Sequence, residues 1–481
     1  MMMKGPRPLL GLVLLVPSYS LDAEAQHLFH DATAAFSDMR HAEAVKLLER
    51  LQQQTPAFER RHEADKLHGA ALASMSRGEE ALECWERAVA AFPSHKQGSR
   101  EHAEFRDEVS QYVLRAAQVY HGNAEKSSGT PAEFSLRLSA GVLTSAVGKN
   151  ELALTHLEAA VRLQPENPSG QLALGKQYAS SSRPAEAQAL LRSAMELAPR
   201  RPGCIAAYTM LAAVSCQLKD LAQCFESYVA AFEAASEEAT APGARAAGGD
   251  AWAAAALAVS SAAMVAIQRH GEAGLAEARA LGQRGVASGV LQAPLQIPRH
   301  LHRGLRATAW WDDARERFRA VQLLEAHAAD ISAEVLRVFH ATDGFRSLST
   351  LESDSQDLVA EGSWSELNLW KNGQPQPANL QLLPRTSALI ASLPEAISMV
   401  RGGAKVSIMS PGTQIASHSG LSNTRLRIHL GLSVPEGCGI VVNEEAPRTW
   451  VEGECLTFDD SFVHSVWQNG TAPRVVLIVD V

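Results

Sequence analysis

A block of residues near the middle of the chain returns after 34 positions. Leu157, Ala160, Leu163 and Pro165 recur as Leu191, Ala194, Leu197 and Pro199. A period of that size holds two short helices and their turns. One such pair cannot bury its apolar face alone, so copies must stack into a helical array. Partial copies extend the pattern. Ala44 to Pro56 and Ala81 to Pro93 keep the 12-residue spacing of Ala187 to Pro199, and Ala222 to Ala234 follows it loosely. Each Pro ends the second helix of its pair, because it cannot continue one. The small Ala residues let paired helices approach closely. Four to six helical pairs are expected between Leu21 and Ala235.

Leu174-Gly175 with Tyr178 resembles the first helix of a tetratricopeptide repeat. The array should therefore be a tetratricopeptide-like solenoid over residues 21–235. Residues 236–250 are mostly small and read as a linker or long loop. Ala-rich sequence resumes over 251–290 as a capping pair, so 236–295 is assigned to linker and capping helices. Pro294 and Pro298 mark the entry to a second domain, 296–481.

That second domain has a different texture. In Arg425-Leu426-Arg427-Ile428-His429-Leu430-Gly431-Leu432, polar and apolar residues alternate. Strand period puts Arg425, Arg427 and His429 on one face and the aliphatic residues on the other. Such a charged inner face is costly unless an anion sits against it. The strand is flanked by His418 on one side, and by His464 and Arg474 on the other. Two imidazoles on strand-like segments can ligate one metal, and an Arg on the next strand can grip a carboxylate bidentately. Iron(II) takes imidazole ligands and keeps open positions for a co-substrate and oxygen. The trio suits an iron enzyme that uses 2-oxoglutarate.

The same region resembles the aspartyl/asparaginyl β-hydroxylases over roughly residues 296–481. The likeness rests on Gly304-Leu305-Arg306-Ala307 with Trp310-Trp311, on Trp364 to Trp370, on Pro411-Gly412-Thr413, and on the runs His418 to Leu432 and Phe458 to Trp467. It implies a double-stranded β-helix (jelly roll), so the whole chain is expected to be a multidomain α + β protein. It implies His418 and His464 as the catalytic iron ligands. Ser407, Arg427, His429 and Arg474 match the family's 2-oxoglutarate contacts, and Lys405, Arg425 and Trp364 match positions near the substrate. Gly420 stands where many iron/2-oxoglutarate enzymes carry an Asp ligand, an absence that the family shares. Water can fill that position, oriented by Asp459 or Asp460. An Asp introduced at Gly420 is then expected to tighten iron. Upstream, Ser355 to Val359, with Glu366 after Trp364, departs from the family's charged substrate-holding stretch.

Composition narrows the classes. Net charge is −9 with no basic run, so nucleic-acid binding is not expected. No apolar stretch of 18 residues stands out, so no membrane span is expected. Lys4 and Arg7 precede the apolar run Leu9 to Val16, and Ser18-Tyr19-Ser20 follows. That is the pattern of a signal peptide over 1–20, pointing to the secretory pathway and an endoplasmic reticulum lumen. Cys204, Cys216 and Cys224 suit buried thiols, whereas Cys438 and Cys455 on neighbouring strands suit a pair. Asn469-Gly470-Thr471 is a glycosylation sequon and also reads as a hairpin turn between the strands of His464 and Arg474. His300 and His302 read as surface residues.

The functional expectation is an iron(II)- and O2-requiring, 2-oxoglutarate-dependent dioxygenase. It would hydroxylate the β-carbon of Asp or Asn in a protein substrate presented by the repeats. Lys405 and Arg425, without local acidic partners, would receive the substrate side chain. The alternatives are the same chemistry on a lipid acyl chain, or a non-catalytic repeat scaffold.

Overall fold

The computed structural model describes residues 18–93, 96–200, 203–240, 249–345, 348 and 358–481. Met1 to Pro17, which hold most of the signal pattern, lie outside the described residues. The chain divides into two compact units, Met1–Pro199 and Arg200–Val481. The division falls after the last full 34-residue copy. The looser copy at 222–234 goes with the second unit.

Among the described residues the first unit holds nine helices: α1 (Ser18–Ser37), α2 (His41–Gln54), α3 (Arg61–Ser74), α4 (Gly78–Ala90), α5 (Arg100–Lys126), α6 (Pro131–Ala146), α7 (Asn150–Leu163), α8 (Pro168–Ser180) and α9 (Pro184–Leu197). The repeat signal has a physical basis here. A Cβ on Gly141 of α6 would stand 2.5 Å from Leu157 Cγ of α7, and one on Gly175 of α8 would stand 2.9 Å from Leu191 Cγ of α9. The same Gly-to-Leu contact thus recurs after 34 residues. Gly69 of α3 plays this part against Trp85 of α4, at 2.6 Å. Ala44, Ala81, Ala153 and Ala187, the spacing residues of the second helices, are fully buried. Helix α5, 27 residues long, interrupts the register between the second and third pairs.

The second unit opens with α10 (Cys204–Gln217), α11 (Leu221–Thr240), α12 (Gly249–His270) and α13 (Glu272–Ala287). Two expectations change here. Residues 236–240 and 249–250 are helical, and the rest of the expected linker, 241–248, lies outside the described residues. Within α12, Ala251–His270 is long and apolar enough by length and composition to cross a membrane. This corrects the expectation that no such stretch exists. Two thirds of that helix is buried inside the protein (67%). Ala255, Val259, Ala262 and Ala263 pack there with Leu281 and Ile297.

Two antiparallel sheets follow. The strands are β1 (Val359–Glu361), β2 (Trp364–Lys371), β3 (Gln374–Pro375), β4 (Gly403–Met409), β5 (Thr413–His418), β6 (Arg427–Ser433), β7 (Cys438–Val442), β8 (Cys455–Phe458), β9 (His464–Gln468) and β10 (Arg474–Asp480). One sheet runs β1-β5-β9-β7 and the other β3-β2-β4-β10-β6-β8. From β4 onward, consecutive strands alternate between the sheets, a winding compatible with a double-stranded β-helix. Ile428, Leu430 and Leu432 of β6 face outward, into a cluster with Val321, Leu324 and Val335 of the helices Arg319–Ala326 and Ala328–Ala341. Between the sheets, Ile415, Ile440 and Val466 meet Met409, Val476 and Ile478. The strand alternation of the sequence is therefore realised, with the charged face turned inward.

The cysteine expectation is overturned. Cys438 and Cys455 are free thiols, because β7 and β8 lie in different sheets, and the disulfide joins Cys216 to Cys224 across the α10–α11 turn. The sequon turn is corrected in the same way. β9 and β10 also lie in different sheets, so Asn469 to Thr471 cross between sheets and close no hairpin. Asn469 is exposed, and its side-chain Oδ1 accepts from Gln414 Nε2 at 2.8 Å.

Candidate active site

His418 ends β5 and His464 opens β9, and the ladder sets them directly opposite. Their ring centroids lie 4.1 Å apart. His418 Nδ1 sits 2.8 Å from the Ala416 carbonyl, and His464 Nδ1 sits 2.9 Å from that of Phe462. A carbonyl can only accept, so Nδ1 carries the proton in each ring and Nε2 keeps its lone pair. That is how a metal-binding imidazole is presented. Burial pushes both rings below the ordinary His range, His464 to about 3, and for His464 the neighbouring His418 adds to the effect. The sign follows by linkage. Between pH 6.5 and about 3 the His464 ring binds more proton in the unfolded chain than in the folded one, so its contribution to stability is lost as pH drops through that window. Thermal melts of metal-free protein from pH 7 to pH 4.5 should show Tm falling, and less steeply for His464→Gln. Parallel profiles for the two proteins would mean that the folded ring already titrates.

The pair stands where two cavities meet. The outer one, about 590 Å³, is lined by Lys405, Arg425, Arg427, Asp460 and Asp480, and both histidines border it. The inner recess is bordered by His418 and His464 too, and then by Ser407, His429 and Arg474. It encloses about 30 Å³, room at its inner end for a carboxylate-sized group. Its polar lining is made of donors, set among Met409, Ile415, Ile440, Val466 and Ile478. Ser407 Oγ accepts from Trp364 Nε1 and from an Arg474 terminal nitrogen, each at 3.0 Å. Both lone pairs are then used, which leaves the hydroxyl proton to donate. Arg474 Nε and His429 Nε2 are buried without a hydrogen-bond partner. Burial pushes the Arg474 guanidinium down to about 10, so it stays charged at neutral pH. Unpartnered buried donors beside two metal-competent imidazoles fit a metal-bound dicarboxylate, with one carboxylate deep and the rest beside the histidines.

The structure brings all nine expected site residues around these two cavities. It changes the reading of three. Lys405 Nζ is 2.5 Å from Glu366 Oε1, and Glu366 is fully buried. Arg425 is 2.6 Å from Asp460 Oδ2 and 3.6 Å from Asp480. Arg427 lies 3.2 Å from Asp460 and 2.8 Å from Asp480. None of these cations lacks an acidic partner, contrary to the sequence expectation for Lys405 and Arg425. Burial alone would raise the Asp460 carboxyl, but Arg427 and Arg425 hold it well below the usual range. Asp459 is different: burial pushes it up to about 6, opposed by Ser461 and Gln296.

Two residues were missed. Asp480 was legible, since strand period on β10 puts Arg474, Val476, Ile478 and Asp480 on one face, and Asp480 is paired in register with Arg427. Trp450 was not. It lies outside any strand, so no periodicity marks it, yet its Nε1 donates to His429 Nδ1 at 3.1 Å. His300 and His302 are exposed as expected, although His300 reaches the mouth of the outer cavity.

Comparison with known proteins places the likeness in the strand-rich part of the chain. Residues 325–481 match the family model described as aspartyl/asparaginyl beta-hydroxylase. Over 180 residues the chain is 39% identical to the aspartyl/asparaginyl beta-hydroxylase of Mus musculus, covering 37% of this chain and 24% of that protein. Over 164 residues it is 40% identical to aspartate beta-hydroxylase domain-containing protein 2 of Homo sapiens, covering 33% and 43%. The chain thus spans about a quarter of the first relative's length and under half of the second's. Among solved structures, the C-terminal part of a TPR repeat-containing protein from Cytophaga hutchinsonii aligns at 15% identity with a TM-score of 0.29, over 54% of this chain and 94% of that one.

Proposed function

With residues 325–481 matching the aspartyl/asparaginyl beta-hydroxylase family model, we propose that the chain is an iron(II)- and 2-oxoglutarate-dependent dioxygenase that hydroxylates the β-carbon of Asp or Asn in a protein substrate. The observation that carries this reading is the His418–His464 pair, with both Nε2 atoms free, beside a recess of unpartnered donors. Iron(II) at those nitrogens would supply oxygen activation, with 2-oxoglutarate leaving as succinate and carbon dioxide and one oxygen atom passing to the substrate. Arg474 and the Ser407 hydroxyl receive the far carboxylate of the co-substrate, and Arg427 and His429 serve its metal-side carboxylate. Trp364 holds Ser407 in place. Arg425 and Arg427 keep Asp460 ionised next to His464 and Gly420. The helical array of the first unit is the proposed binding surface for the protein substrate, in keeping with the concave faces of stacked repeats. A secretory location is supported by the Cys216–Cys224 disulfide together with the Met1–Ser20 pattern.

Arg474 gives the test. Losing a buried charge-assisted carboxylate contact costs about 1.5–3 kcal/mol. Arg474→Ala should raise the 2-oxoglutarate requirement for succinate formation at least about tenfold while metal binding persists. An unchanged requirement would remove Arg474 from the site. Mass spectrometry of Asp- and Asn-containing peptides after turnover identifies the product as a gain of one oxygen. Exposed Val400 and Leu421 at the cavity mouth favour a lipid acyl chain as the second reading, and the same measurement on lipids decides between them.

A further inference from the structure

The two unpartnered donors of the inner recess share one neighbour. Trp450 lies in the segment between β7 and β8 and is 3% exposed. At its edge, Nε1–H donates to His429 Nδ1 at 3.1 Å, with the two rings only 16° from coplanar. On its face, the Arg474 guanidinium carbon sits 4.7 Å from the ring centroid. Indole N–H can only donate, so His429 Nδ1 must hold a lone pair there. A neutral imidazole accepting at Nδ1 carries its proton at Nε2, the atom that has no partner and borders the recess. Burial, with Arg474 and Arg427 nearby, keeps His429 neutral. The opposite tautomer would turn a lone pair toward the recess and repel a carboxylate.

Resting on the dioxygenase reading, we propose that Trp450 is a positioning residue for the co-substrate, its indole edge fixing His429 as a donor and its face holding Arg474 where both border the recess. Trp450 touches neither metal ligand's hydrogen bond and acts through the other two residues. A single side chain thereby sets the direction of two donors from different strands, β6 and β10.

The tautomer is read directly by nitrogen-15 correlation spectroscopy on the full chain without metal or co-substrate, with the His429 signals assigned by their loss in His429→Ala. His429 should appear as the Nε2–H form in the unaltered protein, and finding it as Nδ1–H overturns the proposal without recourse to any variant. Trp450→Phe keeps a ring for Arg474 and removes the N–H. It should lose the single fixed tautomer and weaken calorimetric 2-oxoglutarate binding, in the presence of manganese(II), about five- to tenfold. Trp450→Leu removes the ring as well and should weaken binding further. In a His429→Ala background, Trp450→Phe should change affinity less than about twofold, because its route of action is gone. Equal losses in both backgrounds would show a general packing role and sink the idea. If the unaltered protein fails to bind 2-oxoglutarate at all, the dioxygenase reading falls instead, and the tautomer result still stands or falls alone.

Discussion

Replacing His464 by Ala should abolish succinate formation from 2-oxoglutarate. The residue opens β9 directly opposite His418, and the two imidazoles face each other there. Among the described residues no third His, Cys, Asp or Glu joins them in a metal-holding group. A site with two protein ligands has no redundancy, so losing one leaves a single imidazole, which cannot hold iron(II) against water. The expected loss is at least about a thousandfold in turnover, more than 4 kcal/mol in barrier terms. Metal titration should show the same collapse. The fold should survive, because His464 contributes one backbone-directed hydrogen bond and a modest volume. A variant that keeps near-normal turnover would mean that the metal sits elsewhere.

The second large effect is at Gly420, and here the structure reverses the sequence expectation. An Asp at this position was expected to complete a three-ligand set and tighten iron. A Cβ on Gly420 would stand 2.5 Å from the Asp460 carboxylate, in space already filled, and Gly420 N donates to the Asp460 carbonyl at 2.5 Å. The introduced carboxylate would have to displace Asp460, which is fully buried and held by Arg425 and Arg427. Breaking a buried charge pair costs about 3–5 kcal/mol. Gly420→Asp should therefore destabilise the protein by that order in denaturant titrations and fail to improve metal affinity. Gly420→Ala should already lose part of this stability, since the Cβ alone makes the clash. Tighter metal binding with undiminished stability would show that Asp460 can move aside at little cost.

How far the sequence could be read depended on whether a residue sat on a regular element. The helical pairs were legible because Gly141, Leu157 and their counterparts 34 residues on make the same contact twice. The inward face of β6 was legible from alternation alone, whereas His418, His464 and Arg474 stood out as residue types on successive strand-like segments and through the family resemblance. What failed was everything set by which strands become neighbours. Lys405 looked unpartnered because Glu366 is distant in sequence, yet β2 and β4 pair beside each other and bring the two together. Cys438 and Cys455 looked adjacent because their strands follow one another, but successive strands alternate between sheets. Trp450 had no pattern to betray it. The apolar stretch at 251–270 was diluted by Ala, whose burial depends on close helix packing and not on bulk.

The segment before the matched family region has a role of its own. Ser419, the residue after His418, donates to the Ile297 carbonyl at 3.0 Å and lies 3.6 Å from Met264 of α12. Val463, the residue before His464, donates its N–H to the Leu295 carbonyl at 2.9 Å and packs into the Ala-rich helix cluster. Each imidazole thus has an immediate chain neighbour clamped by residues that precede position 325. The part of this chain that could be transplanted with its chemistry intact is therefore larger than residues 325–481, the stretch that the family model matches. Cutting at residue 325 would keep both imidazoles and remove the floor on which they stand.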